Sequence, residues 1–155
     1  IALVRNRFGH VSAERLLSGP GLVILYQALC ALSERPAQAL TPAQVTDAKS
    51  QDPCAREATS LFCAMLGTVA GNLALTLGAR GGVYLAGGIA PKLIDRLKAS
   101  DFRARFEAKG RFSAYLAATP TYVITRPLPA LLGAARLLRE EREQAPRRAS
   151  ARQKG

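Results

Sequence analysis

Apolar residues recur at three-and-four spacing over most of this chain. Leu22, Val23, Leu25, Tyr26, Leu29 and Leu32 line one face of a helix predicted over 20–33. Ala58, Leu61, Phe62, Met65, Leu66, Val69, Leu73 and Leu77 keep the same spacing over 53–78, the longest predicted helix, with Gly78 as its stop. Thr41-Pro42 opens a short helix to about Lys49. Three more short helices are predicted at Lys92 to Ala99, Asp101 to Lys109 and Arg111 to Ala118, the last two parted at Gly110. Phe102, Phe106, Phe112 and Tyr115 read as core or inter-helix packing. A last helix from about Ala130 to Ala145 turns Leu131, Leu132, Ala135 and Leu138 inward. Two runs suit strands: Val83 to Ala86, and the β-branched Thr121 to Thr125, which Pro127 and Pro129 end. The first eight residues read as the end of a helix that started earlier, so a fragment or a cut chain is expected. Helices, strand, helices, strand, helix is the order of an α-rich half of an α/β protein, docked on a sheet completed elsewhere.

Between Leu61 and Ala79 no residue is charged, which raises a membrane span. Thr68, Asn72 and Thr76 are polar, however, and Gly67 and Gly71, four apart, allow close backbone packing on one face. A helix buried against a sheet is the simpler reading.

Two stretches carry candidate chemistry. In Gly81-Gly82-Val83-Tyr84-Leu85-Ala86-Gly87-Gly88-Ile89-Ala90-Pro91, a glycine pair closes a strand just before a helix. Glycine lets the chain turn with φ > 0 and lets a flat ligand approach the main chain. A helix start after the turn adds unpaired N–H groups. A tight αβ connection without a ligand has the same signature. In Gly9-His10-Val11-Ser12-Ala13-Glu14-Arg15, Ser12 can cap a short turn holding Glu14. Glu14 is either a first-turn acid favoured by the helix dipole, a partner for Arg15, or a ligand group. Ser18-Gly19-Pro20-Gly21 then breaks the chain, and Pro20 suits the first turn of the next helix.

Composition narrows the classes. At 155 residues, 48% hydrophobic and 21% charged, the chain is globular and large enough for one core. The three cysteines (Cys30, Cys54, Cys63) form no CxxC pair, and with a single histidine no zinc site is expected. They read as reduced thiols of a cytosolic protein, and no signal peptide is visible. The net charge of +11 invites a nucleic-acid reading. Arg147, Arg148, Arg152 and Lys154 place much of it in a tail without acids, and no recognition motif accompanies it. Residues 146–155 are expected to form a separate, basic, disordered tail behind a domain at 1–145.

Taken together, residues 10–22, Gly71 to Gly78, 81–91, Phe106 to Phe112 and Leu131 to Ala135 resemble the bacterial glucokinase family, in order and with natural spacing, from about residue 9 to 139. The resemblance is to the C-terminal half. It implies the α/β, helix-rich C-terminal lobe of a two-lobed hexokinase/actin-like (ribonuclease H-like) fold, with the N-terminal lobe missing. It also implies transfer of the γ-phosphoryl of ATP, with Mg2+, to the 6-hydroxyl of D-glucose, in the cytoplasm. By position Glu14 matches the family's glucose-binding glutamate, and Gly87 and Gly88 match the glycine pair of the adenosine motif. The family's Asp-x-Gly-Gly-Thr phosphate loop, its catalytic aspartate and its Glu-Gly-Gly-His motif have no counterpart here. No catalytic or metal-binding residue is therefore assigned in this chain, and the chain alone is expected to be inactive. His10 receives no catalytic role. A homodimer suits the family; no specific nucleic acid and no membrane are expected. The competing class is a non-catalytic sugar-sensing regulator of the same superfamily, and a third reading is a degenerate half serving only dimer contacts.

Overall fold

A computed structural model describes the backbone of residues 2–152 and the side chains of residues 2–142. The chain divides into two compact units, one running through Val123 and one from Ile124 onward. The first holds α1 (Ala2–Phe8), α2 (Ala13–Leu16), α3 (Gly19–Leu32), α4 (Pro42–Val45), α5 (Pro53–Thr76), β1 (Val83–Leu85), α6 (Ile94–Ala99), α7 (Phe102–Glu107), α8 (Ser113–Ala117) and β2 (Thr121–Val123). Short 3-10 turns at Ala90–Leu93 and Gly110–Phe112 precede α6 and α8. The second unit is the single helix α9 (Pro129–Arg152) with the segment leading into it.

Helix starts are written locally. Ser18 Oγ accepts from Gly21 N at 3.1 Å to open α3. Thr41 and Gln44 form a reciprocal capping box at α4. Asp52 Oδ1 accepts from Cys54 N at 2.9 Å to open α5. Each of these helices has a proline in its first two positions, where a missing N–H costs nothing.

The core forms around α5. Its buried face is a stripe of small residues, Ala55, Ala58, Cys63, Gly67, Ala70, Gly71 and Ala74, with Phe62 the one large side chain among them. Small residues let neighbouring helices come close. A Cβ on Gly67 would sit 2.1 Å from the Phe102 carbonyl oxygen, and one on Gly71 would sit 2.5 Å from that of Phe106. Residues four apart on α5 thus receive carbonyls four apart on α7. Phe102 and Phe106 are buried beside this crossing, and Lys109 Nζ closes it by donating to Thr68 O at 3.1 Å.

On the opposite flank, Tyr26 of α3 donates to Asp52 Oδ2 at 3.0 Å and accepts from Gln38 N at 3.2 Å. Thr59 Oγ1 donates to the Val45 carbonyl at 3.2 Å, tying α4 to α5. Both side chains are buried and both are satisfied, as buried polar groups must be.

β1 and β2 pair in parallel with Val83 opposite Thr121 and Leu85 opposite Val123. Val83, Leu85 and Val123 reach the core. Tyr84 and Tyr122, opposite each other, point the other way and stack at 5.0 Å, both well exposed. The Arg103 guanidinium, on α7, donates to the carbonyls of Leu116, Ala117 and Thr119 at 2.8–2.9 Å, fixing the end of α8 just before β2. It also pairs with Glu107.

Several expectations are corrected. Leu61 and Leu73 of α5, Leu77 just past its end, and Leu32 of α3 are exposed rather than inward. The three-and-four pattern selected the large residues, whereas close helix crossing buries the small ones. α5 packs against α7 and α3, not across the sheet. Phe112 is exposed too, with Arg111 over its ring. In α9, Leu131, Leu132 and Leu138 are exposed. Helix α9 runs on to Arg152, past the expected end near Ala145 and through most of the segment expected as a disordered tail. Its Ala, Arg and Glu residues are strong helix formers, and Arg136 pairs with Glu140 one turn on. Residues 153–155 of that tail lie outside the described residues. α4 stops at Val45, because the Thr46 hydroxyl bonds back to Pro42 O and Ala43 O and an Asp47 turn follows.

Two measurements check this account. Gly67→Ala must push α7 away or strain its backbone, and it is expected to cost about 1–3 kcal/mol or more in urea unfolding. Gly133→Ala, where a Cβ meets nothing within 4 Å in α9, should be neutral or stabilising by up to about 1 kcal/mol. Equal effects would refute the crossing.

The second concerns alkaline pH. Burial, above all, pushes the Tyr26 hydroxyl up to about 12; its bonds to Cys30 and Asp52 add to this and the Gln38 N–H opposes it. In the unfolded chain a phenol ionises near 10. Between those values the unfolded state holds fewer protons than the folded one, so stability falls as pH rises through the window, by roughly 2–3 kcal/mol in all. Tyr26→Phe should flatten that part of the stability–pH curve; an unchanged slope would show that Tyr26 does not contribute.

Candidate functional site

The Gly87–Gly88 turn is positioned by the sheet behind it and by the 3-10 turn Ala90–Leu93 ahead, where Lys92 N donates to Ile89 O at 3.0 Å. Gly87 has φ of +110°, a conformation that a side chain resists. A Cβ on Gly87 or Gly88 would meet nothing within 4 Å, so the backbone here faces open space. Both glycines are exposed.

Two clefts flank this turn. One, of about 350 Å3, lies between the turn and a wall formed by Leu17, Phe62 and Leu66. The other, of about 260 Å3, has Gly88 and Ile89 on one side and Leu22, Thr41 and Thr46 on the other, with Lys92 at its edge. Its walls are largely apolar. The Thr46 hydroxyl is already committed to carbonyls of its own helix, while Lys92 is an exposed cation. A flat apolar ring with an anionic extension suits such a surface.

Glu14 lies in the first turn of α2, which Ser12 caps by accepting from Arg15 N at 3.1 Å. Its side chain is exposed and forms no ion pair among the described residues. Pairing with Arg15, one of the sequence alternatives, does not occur: the Arg15 guanidinium lies over the Phe8 ring at 4.6 Å. Glu14 does not itself line either cleft. Leu17, three residues on, does, and so the α2–α3 corner meets the glycine turn across the larger cleft. His10 is exposed, its backbone N–H bonded to Phe8 O.

Sequence reading missed the α4 segment, where it found no chemistry. Thr41, Thr46 and Leu22 reach Gly88 only through folding, and nothing in their spacing marks them. Among the described residues no cluster of three His, Cys, Asp or Glu side chains could hold a metal ion. Magnesium at kinase sites is commonly held by one or two carboxylates together with substrate phosphates, so it needs no preformed cage.

A sequence profile of the glucokinase family matches residues 1–141. The chain belongs to the glucokinase family. It is 54% identical over 136 residues to the glucokinase of Neisseria meningitidis serogroup B, covering 86% of this chain and 42% of that protein. To the glucokinase of Paramagnetospirillum magneticum it is 56% identical over 137 residues, covering 87% of this chain and 43% of that one. A crystal structure of glucokinase from an Antarctic psychrotroph superposes with a TM-score of 0.81 at 37% identity, over 88% of this chain and 43% of that chain. The chain thus spans about two fifths of the length of these relatives and corresponds to their C-terminal part. The α/β, helix-rich lobe expected of the glucokinase fold is the one observed.

Proposed function

We propose that this chain is the C-terminal part of an ATP-dependent glucokinase, which transfers the γ-phosphoryl of ATP to the 6-hydroxyl of D-glucose in the cytoplasm. The observation that carries the reading is the glycine turn. Gly87 and Gly88 leave open backbone between two clefts, in a chain more than half identical to proteins named glucokinase. In this reading the smaller cleft seats the adenosine. Its apolar wall of Leu22 and α4 lies against the base, and Lys92 draws the phosphates.

Glu14 takes the sugar. A carboxylate accepts two hydrogen bonds from neighbouring hydroxyls, which holds a pyranose ring in one orientation. An exposed, unpaired Glu14 is free to do so without breaking an internal ion pair.

The remaining parts belong to residues outside this chain. Phosphoryl transfer relies on positioning and charge neutralisation, and neither a catalytic aspartate nor a phosphate loop is assigned among these 155 residues. Mg2+ enters bound to ATP, as part of the substrate. The 155-residue chain by itself is accordingly inactive. Two copies of the whole enzyme form the working homodimer, and neither a membrane nor a nucleic acid takes part.

A coupled glucose-phosphorylation assay tests this. It compares the 155-residue chain with a longer reading frame that contains it. Activity confined to the longer protein is expected. Glucose binding without turnover in the longer protein would instead favour a sugar-sensing relative.

Within the longer protein, Glu14→Gln should raise the glucose KM ten-fold or more, because losing a charged acceptor costs about 1.5–3 kcal/mol, and leave the ATP KM nearly unchanged. An unaltered glucose KM would remove Glu14 from the sugar site. Gly87→Val should do the reverse, weakening ATP most, since a branched residue strains a backbone at φ of +110°. A loss falling on glucose alone would rule out the nucleotide assignment.

A further inference from the structure

Arg103 of α7 takes no part in the reading above, yet its guanidinium is committed at every nitrogen. One terminal nitrogen donates to Thr119 O at 2.9 Å. The other donates to Leu116 O at 2.8 Å and to Ala117 O at 2.9 Å. The third nitrogen pairs with Glu107. The group also lies over the Phe106 ring, 4.9 Å from its centroid. Phe106 is fully buried at the α5–α7 crossing, so Arg103 is braced against the tightest contact of the interior.

The segment it holds leads straight into the sheet. Pro120 follows Thr119 and accepts from Val83 N at 2.9 Å, which brings the start of β1 to the start of β2. Val83, Tyr84 and Leu85 then pair with Thr121, Tyr122 and Val123, and Gly87 comes two residues after Leu85. Each strand is only three residues long, and two short strands are marginal by themselves. A cavity of about 380 Å3 lies under them, between Ile94, Leu97 and Phe102 on one side and Leu85, Thr121 and Val123 on the other. Side chains that border a gap lose contacts on that side. At this point the bonds from Arg103, more than packing, set where β2 runs.

We propose that Arg103 is a positioning residue for the nucleotide. It touches no substrate. Through residues 116–120 and the β2–β1 ladder it sets where Gly87 and Gly88 present their backbone. This rests on the assignment of the nucleotide to that turn. A guanidinium suits the task, because its planar fork reaches three carbonyls while its remaining nitrogen pairs with Glu107. A lysine ammonium has the same charge but carries its three donors on one atom, and it cannot span that set.

Kinetics of the longer protein test this. Arg103→Gln should raise the ATP KM about five-fold or more while the glucose KM stays within about two-fold, because a small misplacement of a binding element is costly. Arg103→Lys should fall between Arg103→Gln and the wild type. An unchanged ATP KM in Arg103→Gln, or a loss shared equally by both substrates, would overturn the proposal. Gly87→Val, measured alongside, separates the two levels. If it weakens ATP and Arg103→Gln does not, the turn keeps the nucleotide and Arg103 loses its role. If Gly87→Val leaves ATP binding intact, the nucleotide assignment falls and the proposal with it. Amide hydrogen exchange of the wild-type protein requires no variant to fold. Coupling between sites is reciprocal, so a non-hydrolysable ATP analogue with Mg2+ should slow exchange in residues 83–88 and in 116–123 together. Protection confined to 83–88 would overturn the proposal.

Discussion

Two carbonyl oxygens resting on two glycines set the geometry of this molecule. Phe102 O and Phe106 O occupy the space that side chains on Gly67 and Gly71 would need, and this draws α7 against the middle of α5. Much else follows from where α7 lies. Phe102 and Phe106 are buried beside the crossing. Arg103, one residue after Phe102, reaches the last carbonyls of α8 and so fixes where the chain enters β2. The pairing of β2 with β1 then sets where Gly87 and Gly88 emerge. A surface turn that faces open space is in this way anchored to the tightest contact of the interior.

The other flank is held by polar ties rather than by close packing. Tyr26 to Asp52 and Thr59 to Val45 each join a helix to α5 through one buried hydrogen bond. Such bonds contribute only about 1 kcal/mol net, but an unpaired buried hydroxyl costs more, so they specify position better than they add stability. They place α3 and α4 beside Gly88, and the smaller cleft exists because of them.

The parts of the fold legible in the sequence are those whose cause is local. Ser12, Ser18, Thr41 and Asp52 each bond to a backbone N–H two or three residues on, and a proline follows three of them, so helix starts could be read residue by residue. Gly78 and Gly110, with φ of +61° and +55°, mark breaks where breaks were expected. Period failed where a helix buries its small side instead of its large one. Leu73 and Leu77 continue the apolar spacing of α5 yet are exposed, while Ala70, Gly71 and Ala74 are inside.

The candidate site divides the same way. Glu14, Gly87 and Gly88 stand out in sequence because a capped acid and a glycine pair after a strand carry their chemistry in neighbouring residues. Thr41, Thr46 and Leu22 carry none of that signal; they matter only because α4 and α3 come to rest beside Gly88. By itself, then, the sequence determined the order of the main elements, most helix starts, and the residues that resemble a sugar and nucleotide site. Tertiary structure alone decided which face of α5 is buried and which segments share a cleft. Caps and turns depend on dihedral angles and hydrogen bonds spanning a few residues. Faces and clefts depend on which distant backbone can approach, and that is fixed only when the two surfaces close on each other.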